Sequence, residues 1–107
     1  MANMIKMMQK AGQMKSKMED LQERIKDMVV SGEASGNMVT CEMTGRFELK
    51  SININKDVIN PDEPELLEDM VLIAVNDAHA KATKLIADET QKIMTDLGLP
   101  PGFELPF

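Results

Sequence analysis

Side chains able to carry covalent chemistry are few: the 107 residues hold one Cys, one His and neither Tyr nor Trp. Cys41 and His79 are therefore the obvious nucleophile and base to consider. Cys41 falls in a stretch of alternating residues that reads as a strand, where a cysteine is a small packed hydrophobe. His79 falls in an alanine-rich helical run, at the surface or the core edge. Metal-ligand spacings and glycine-rich phosphate loops are absent from the chain. The acid pairs Asp62-Glu63 and Glu68-Asp69 suit the positive end of a helix dipole. The expectation is a protein that is not an enzyme, with no catalytic residue, metal, cofactor or small-molecule substrate.

Charge is more informative. The net charge is −6, which on its own argues against nucleic acid, but it is unevenly spread. Residues 1–30 hold six basic and four acidic side chains, residues 31–60 three and four, and residues 61–107 three and ten. Up to Met18 there are four lysines, Lys6, Lys10, Lys15 and Lys17, and no acid. Lys10, Lys17 and Arg24 recur every seventh residue; Met8, Lys15 and Gln22 do the same on the opposite flank. In a self-paired coiled coil these flanks would exchange opposite charges, yet neither carries an acid. The basic stripe is left for solvent or for phosphate, and Lys6, Lys10, Lys15, Lys17 and Arg24 are the candidate DNA contacts.

The lysines are positioned by a heptad seam. Met4, Ala11, Met18 and Ile25 occupy one register position and Met7, Met14, Leu21 and Met28 the other, which predicts a helix over residues 1–28. At 1.5 Å per residue such a helix is roughly 37 Å long, so part of it should protrude or lie against a second protomer. A Met-rich seam can pack on neighbouring elements or serve as an adaptable protein-binding groove. Residues 29–55 read as a three-stranded antiparallel meander: Val29 to Ala34, a turn at Ser35-Gly36-Asn37, Met38 to Thr44, a break at Gly45, and Phe47 to Asn55 with a bulge at Lys50-Ser51. A second helix is expected within 62–97, capped by Asn60 or Asp62 and stopped by Gly98. Its apolar stripe runs Leu67, Met70, Val71, Ala74, Ala78, Ala82, Leu85, and Leu66, Ile73, Val75 and Ile86 widen it. Such a helix has two surfaces to meet, its own sheet and a partner chain. Residues 98–107 read as a non-helical, Pro-rich tail.

The length fits one domain, 1–107, of α+β class with a single core. A core built from 11 Met and three Phe is adaptable, and pairing of two protomers is a common way to complete burial in a domain of this size. The expected homodimer interface is Met14, Met18, Leu21, Leu67, Met70, Val71 and Ala74. One Cys leaves no intramolecular disulfide, no secretory pattern is visible, and the longest apolar run, Met70 to Val75, cannot span a bilayer, so a cytoplasmic protein without a membrane partner is expected.

Leu67-Glu68-Asp69-Met70-Val71 followed by Ala74 and Asn76-Asp77-Ala78 resembles the second-helix signature of the YbaB/EbfC family. Leu99-Pro100-Pro101-Gly102-Phe103 with Leu105-Pro106-Phe107 is similar to its C-terminal tail. Met14, Lys17-Met18, Gln22 and Ile25, then Gly32-Glu33, Gly36, Val39 and Gly45, extend the resemblance over nearly the whole chain. Asn55-Lys56 replaces the family's usual Asp-Pro pair, and one extra residue precedes Glu65. The resemblance implies an α-β-β-β-α fold, a tweezer-like homodimer with helical arms, and sequence-tolerant binding of double-stranded DNA in a bacterial nucleoid. In that reading the lysine-bearing arms meet phosphates and the acidic helix lies away from the duplex. The alternative is a protein-protein interaction module using the Met-rich helix or the tail, without nucleic acid.

Overall fold

The structure, a computed structural model, describes residues 2–98, with side chains from residue 3 onward; the expected Pro-rich tail beyond Gly98 lies outside the described residues. The chain runs through helix α1 (Ala2–Ile25), strands β1 (Val29–Ala34), β2 (Val39–Thr44) and β3 (Leu49–Ile54), a short 3-10 turn at Lys56–Val58, and helix α2 (Pro64–Asp96). The α-β-β-β-α order is the one expected. Several element ends differ from the sequence reading. α1 stops at Ile25 and Met28 is no longer helical. There the Ile25 carbonyl accepts the Met28 N–H (3.2 Å), and the Gly45 N–H donates to the carbonyls of Ile25 (3.0 Å) and Met28 (3.1 Å), so the end of the helix is tied to the β2–β3 hairpin. A Cβ on Gly45 would lie 2.5 Å from the Ile25 carbonyl oxygen, so only glycine lets the β2–β3 hairpin approach α1 this closely.

Neither Asn60 nor Asp62 caps α2. The cap position is Glu63, whose side chain makes no capping bond, and Pro64 follows it, where the missing N–H would have had no partner. The Asn60 carboxamide instead accepts from the Asp62 N–H at 3.0 Å, shaping the turn before the helix. Gly98, at φ +71°, ends α2 as expected.

The sheet is antiparallel in the order β1-β2-β3. Ala34 pairs with Val39, Gly32 with Cys41, and Cys41 with Ile52. Glu42 faces Ser51 but Met43 faces Leu49, so Lys50 is the extra residue of a bulge at the place the broken alternation indicated. α2 lies chiefly beneath β1 and β2. It reaches them through Met70, Ala74, Ala78 and Ala82, all buried and four residues apart. The alanines let backbone approach backbone: a Cβ on Gly32 would collide with the Ala74 carbonyl and the Ala78 amide. Cys41 is buried here, its thiol donating to the Ala74 carbonyl at 3.3 Å. Asp77, further along, accepts the Glu33 backbone N–H at 3.0 Å, and that bond, together with Lys81 at 3.1 Å, holds its carboxyl below the usual carboxylate range.

The expected single core is in fact two. One joins the sheet to the first half of α2, through residues such as Val39, Cys41, Met43 and Ala78. The other joins Met14, Leu21 and Ile25 of α1 to Ile93 and Met94 of α2, with Met18, Met28, Ile86 and Leu97 around them. The reason is length: 33 residues of helix extend about 50 Å, far beyond six-residue strands. The part of α2 that outruns the sheet therefore packs on α1, and the molecule is a rod of 71 × 22 × 19 Å.

Candidate nucleic-acid interface

α1 divides into two halves. From Met14 onward its seam is packed on α2. The first half is not: Met4, Ile5, Met7 and Met8 are between 59% and 71% exposed. Lys6, Lys10, Lys15 and Lys17 are all exposed, and among the described residues none of the four forms a salt bridge. At 100° per residue Lys6, Lys10 and Lys17 fall within about 40° of one another and span roughly 16 Å along the axis, while Lys15 lies on the other flank of the seam. No acid precedes Glu19 on this helix. The arm therefore presents four cations with no counter-charge of its own.

Arg24 is different. Its guanidinium lies 3.6 Å from the Glu89 carboxylate, which also receives Lys92 at 3.3 Å. The half-exposed arginine thus joins α1 to α2 at the root of the arm. Lys26 is likewise paired, with Glu23 at 2.6 Å, and this contact lowers the Glu23 carboxyl from its usual value, the Lys26 hydrogen bond being the larger cause. Sequence spacing missed a further cation, Arg46. It is exposed on the β2–β3 hairpin and donates to the Gln22 carbonyl at 3.4 Å. This contact brings Arg46 to the α1 backbone seven residues beyond Lys15.

The residues expected at a dimer interface are not equivalent in the single chain. Met14 and Leu21 are buried against α2, and Met70 and Ala74 beneath the sheet. Their side chains are covered by their own chain: α2 supplies the surface against Met14 and Leu21, and the sheet covers Met70 and Ala74. Met18, Leu67 and Val71 are only partly covered. Leu67, Val71, Leu72 and Val75 line a shallow, almost wholly apolar strip along α2. Leu49 and Ile52 of β3 point to the same side of the sheet as Met43 and Cys41, yet remain exposed. This is an apolar surface left open by one chain.

A nucleophile-base pair does not form: the Cys41 thiol is buried on Ala74, and His79 is exposed and stacked on Phe47, ring centroids 4.6 Å apart. Among the described residues no group of three His, Cys, Asp or Glu side chains is arranged to hold a metal ion, and no helix is long and apolar enough to cross a membrane.

Comparison with known proteins agrees with this layout. A crystal structure of an uncharacterized protein from Helicobacter pylori superimposes with a TM-score of 0.65 over 76% of this chain and 85% of that one, at 21% identity, and so shares the fold. A nucleoid-associated protein of Rhodospirillum centenum is 42% identical over 107 residues, covering all of both chains. Another, from Bradyrhizobium, is 41% identical over 96% of this chain and 97% of its own. The model of the YbaB/EbfC DNA-binding family matches residues 1–97, and the chain belongs to that family.

Proposed function

We propose that the protein works as a homodimer in the bacterial nucleoid, in the cytoplasm, holding double-stranded DNA by its phosphates with little sequence preference and no catalysis. The observation that carries this reading is the arm: four exposed lysines, unpaired among the described residues, on a helix half without acids. Such a stripe gains affinity by releasing counterions from the duplex. Base readout normally needs Arg, Asn or Gln delivered into the major groove on one recognition element. Here the two arginines stand on different elements, and Arg24 is held by Glu89. The open apolar surface on β3 and α2 supports the dimer, since a second copy would remove Leu49, Ile52, Leu67, Val71 and Val75 from water. The nucleoid-associated names of the relatives point the same way.

Lys10, Lys15 and Lys17 flank the seam, so replacing all three by Glu should abolish binding to a random duplex while leaving the circular dichroism and melting temperature unchanged. A triple variant that shifts DNA like the parent would show that the stripe is merely solvated. The exposure of Met4, Ile5, Met7 and Met8 favours a second reading, in which the arm docks another protein. In that case no duplex is bound at any salt concentration and the lysine variant is silent.

A further inference from the structure

The β2–β3 hairpin turns through Gly45, Arg46 and Phe47. It is closed by Phe47 N–H to Thr44 C=O at 2.9 Å and Thr44 N–H to Glu48 C=O at 2.8 Å. The buried Thr44 hydroxyl braces it further by accepting from the amides of Arg46 (3.3 Å) and Glu48 (3.2 Å). This rigid tip holds Phe47 at φ +65°, a left-handed conformation natural to glycine and strained for a bulky side chain. The residue is nevertheless 42% exposed. One ring contact is the His79 imidazole of α2, stacked at 26°, while the neighbouring Arg46 is tied to the α1 backbone at Gln22. The tip therefore sits where both helices meet the sheet, and it carries an ordered, half-open aromatic beside a cation that forms no salt bridge among the described residues. Burial does not account for the strain, since so much of the residue stays in water.

We propose that Phe47 is a second DNA contact, an apolar wedge that stacks on a base step opened from the groove side. Arg46 binds the adjacent backbone and the His79 ring fixes the wedge in place. The inference rests on the DNA-binding reading above and adds to it an element that the lysine arm does not contain. Wedges of this kind partly unstack the duplex and accept many sequences, because every base has an aromatic face. Arg46 is bonded to α1 at Gln22, about 10 Å along the axis from Lys15, a separation that one duplex spans.

The test uses the full chain and a duplex carrying 2-aminopurine at central steps, whose emission rises when its base unstacks. The parent should raise the emission on binding. Phe47→Gly and Phe47→Asn, both suited to a left-handed backbone, should lose that rise while keeping the parent's salt dependence and sedimentation mass. Arg46→Gln should lower the log-log salt slope by about one. Phe47 variants that keep the rise, or a parent that saturates the duplex without any, overturn the wedge and leave phosphate binding intact. Variants that lose the rise only by losing the parent's oligomeric mass overturn it too, in favour of a joint between copies. A parent that binds no duplex overturns the underlying reading and the wedge together.

Discussion

Gly32 shows how much a single residue decides here. Its absent side chain lets β1 lie directly on the Ala74–Ala78 turn of α2, and an added Cβ would meet backbone atoms, which cannot rotate away. Gly32→Ala should therefore destabilise the fold by about 1–3 kcal/mol through overpacking, read as a lower urea midpoint with an unchanged slope; an unaltered midpoint would contradict the close crossing. The sequence showed such residues unevenly. The lysines were legible because their positions follow from helical period alone. The pairing of Arg24 with Glu89 was not, since it joins residues from opposite ends of the chain. Phe47 read as the start of a strand by its alternation with Leu49, whereas the hairpin takes it into the turn and β3 begins at Leu49. Only the structure shows that it stays 42% exposed while stacked on His79.

Among the elements, α1 carries two roles separated near Gly12. Gly12 has nothing within 4 Å of the place a Cβ would occupy, whereas Leu21 is fully buried between the helices. Gly12→Ala should stabilise the helix by up to about 1 kcal/mol through backbone entropy. Leu21→Ala should cost about 2–5 kcal/mol by opening a cavity. Thermal unfolding of the two variants checks the division: melting points that shift together would mean that the first half of α1 is packed like the second. The heptad seam, the meander, the bulge at Lys50 and the stop at Gly98 could all be read from the chain, because each rests on local period or turn chemistry. The destination of the seam could not. Period says that Met14 and Leu21 are covered; only the reach of α2 beyond the sheet says that the cover comes from Ile93 and Met94.

At the scale of the molecule, a rod 71 Å long with two small cores leaves Leu49, Ile52, Leu66, Leu72 and Ile73 exposed, the kind of apolar surface that a second copy covers. Sedimentation at micromolar concentration should give twice the 11.9 kDa chain mass, and a folded monomer would remove the case for pairing through β3 and α2. In the proposed dimer two arms would offer phosphate contacts in one complex, each bearing Lys6, Lys10, Lys15 and Lys17, while the acids concentrated in residues 61–107 would repel the duplex. Binding in the proposed complex is electrostatic and blind to sequence. Titration of random and natural duplexes with the protein at roughly 50 mM to 200 mM salt measures both properties together. About four to six phosphate contacts predict a log-log slope of roughly −4 to −5, with both duplexes competing equally. Affinity unchanged across that range, or a preference of about a thousandfold for one sequence, would contradict it.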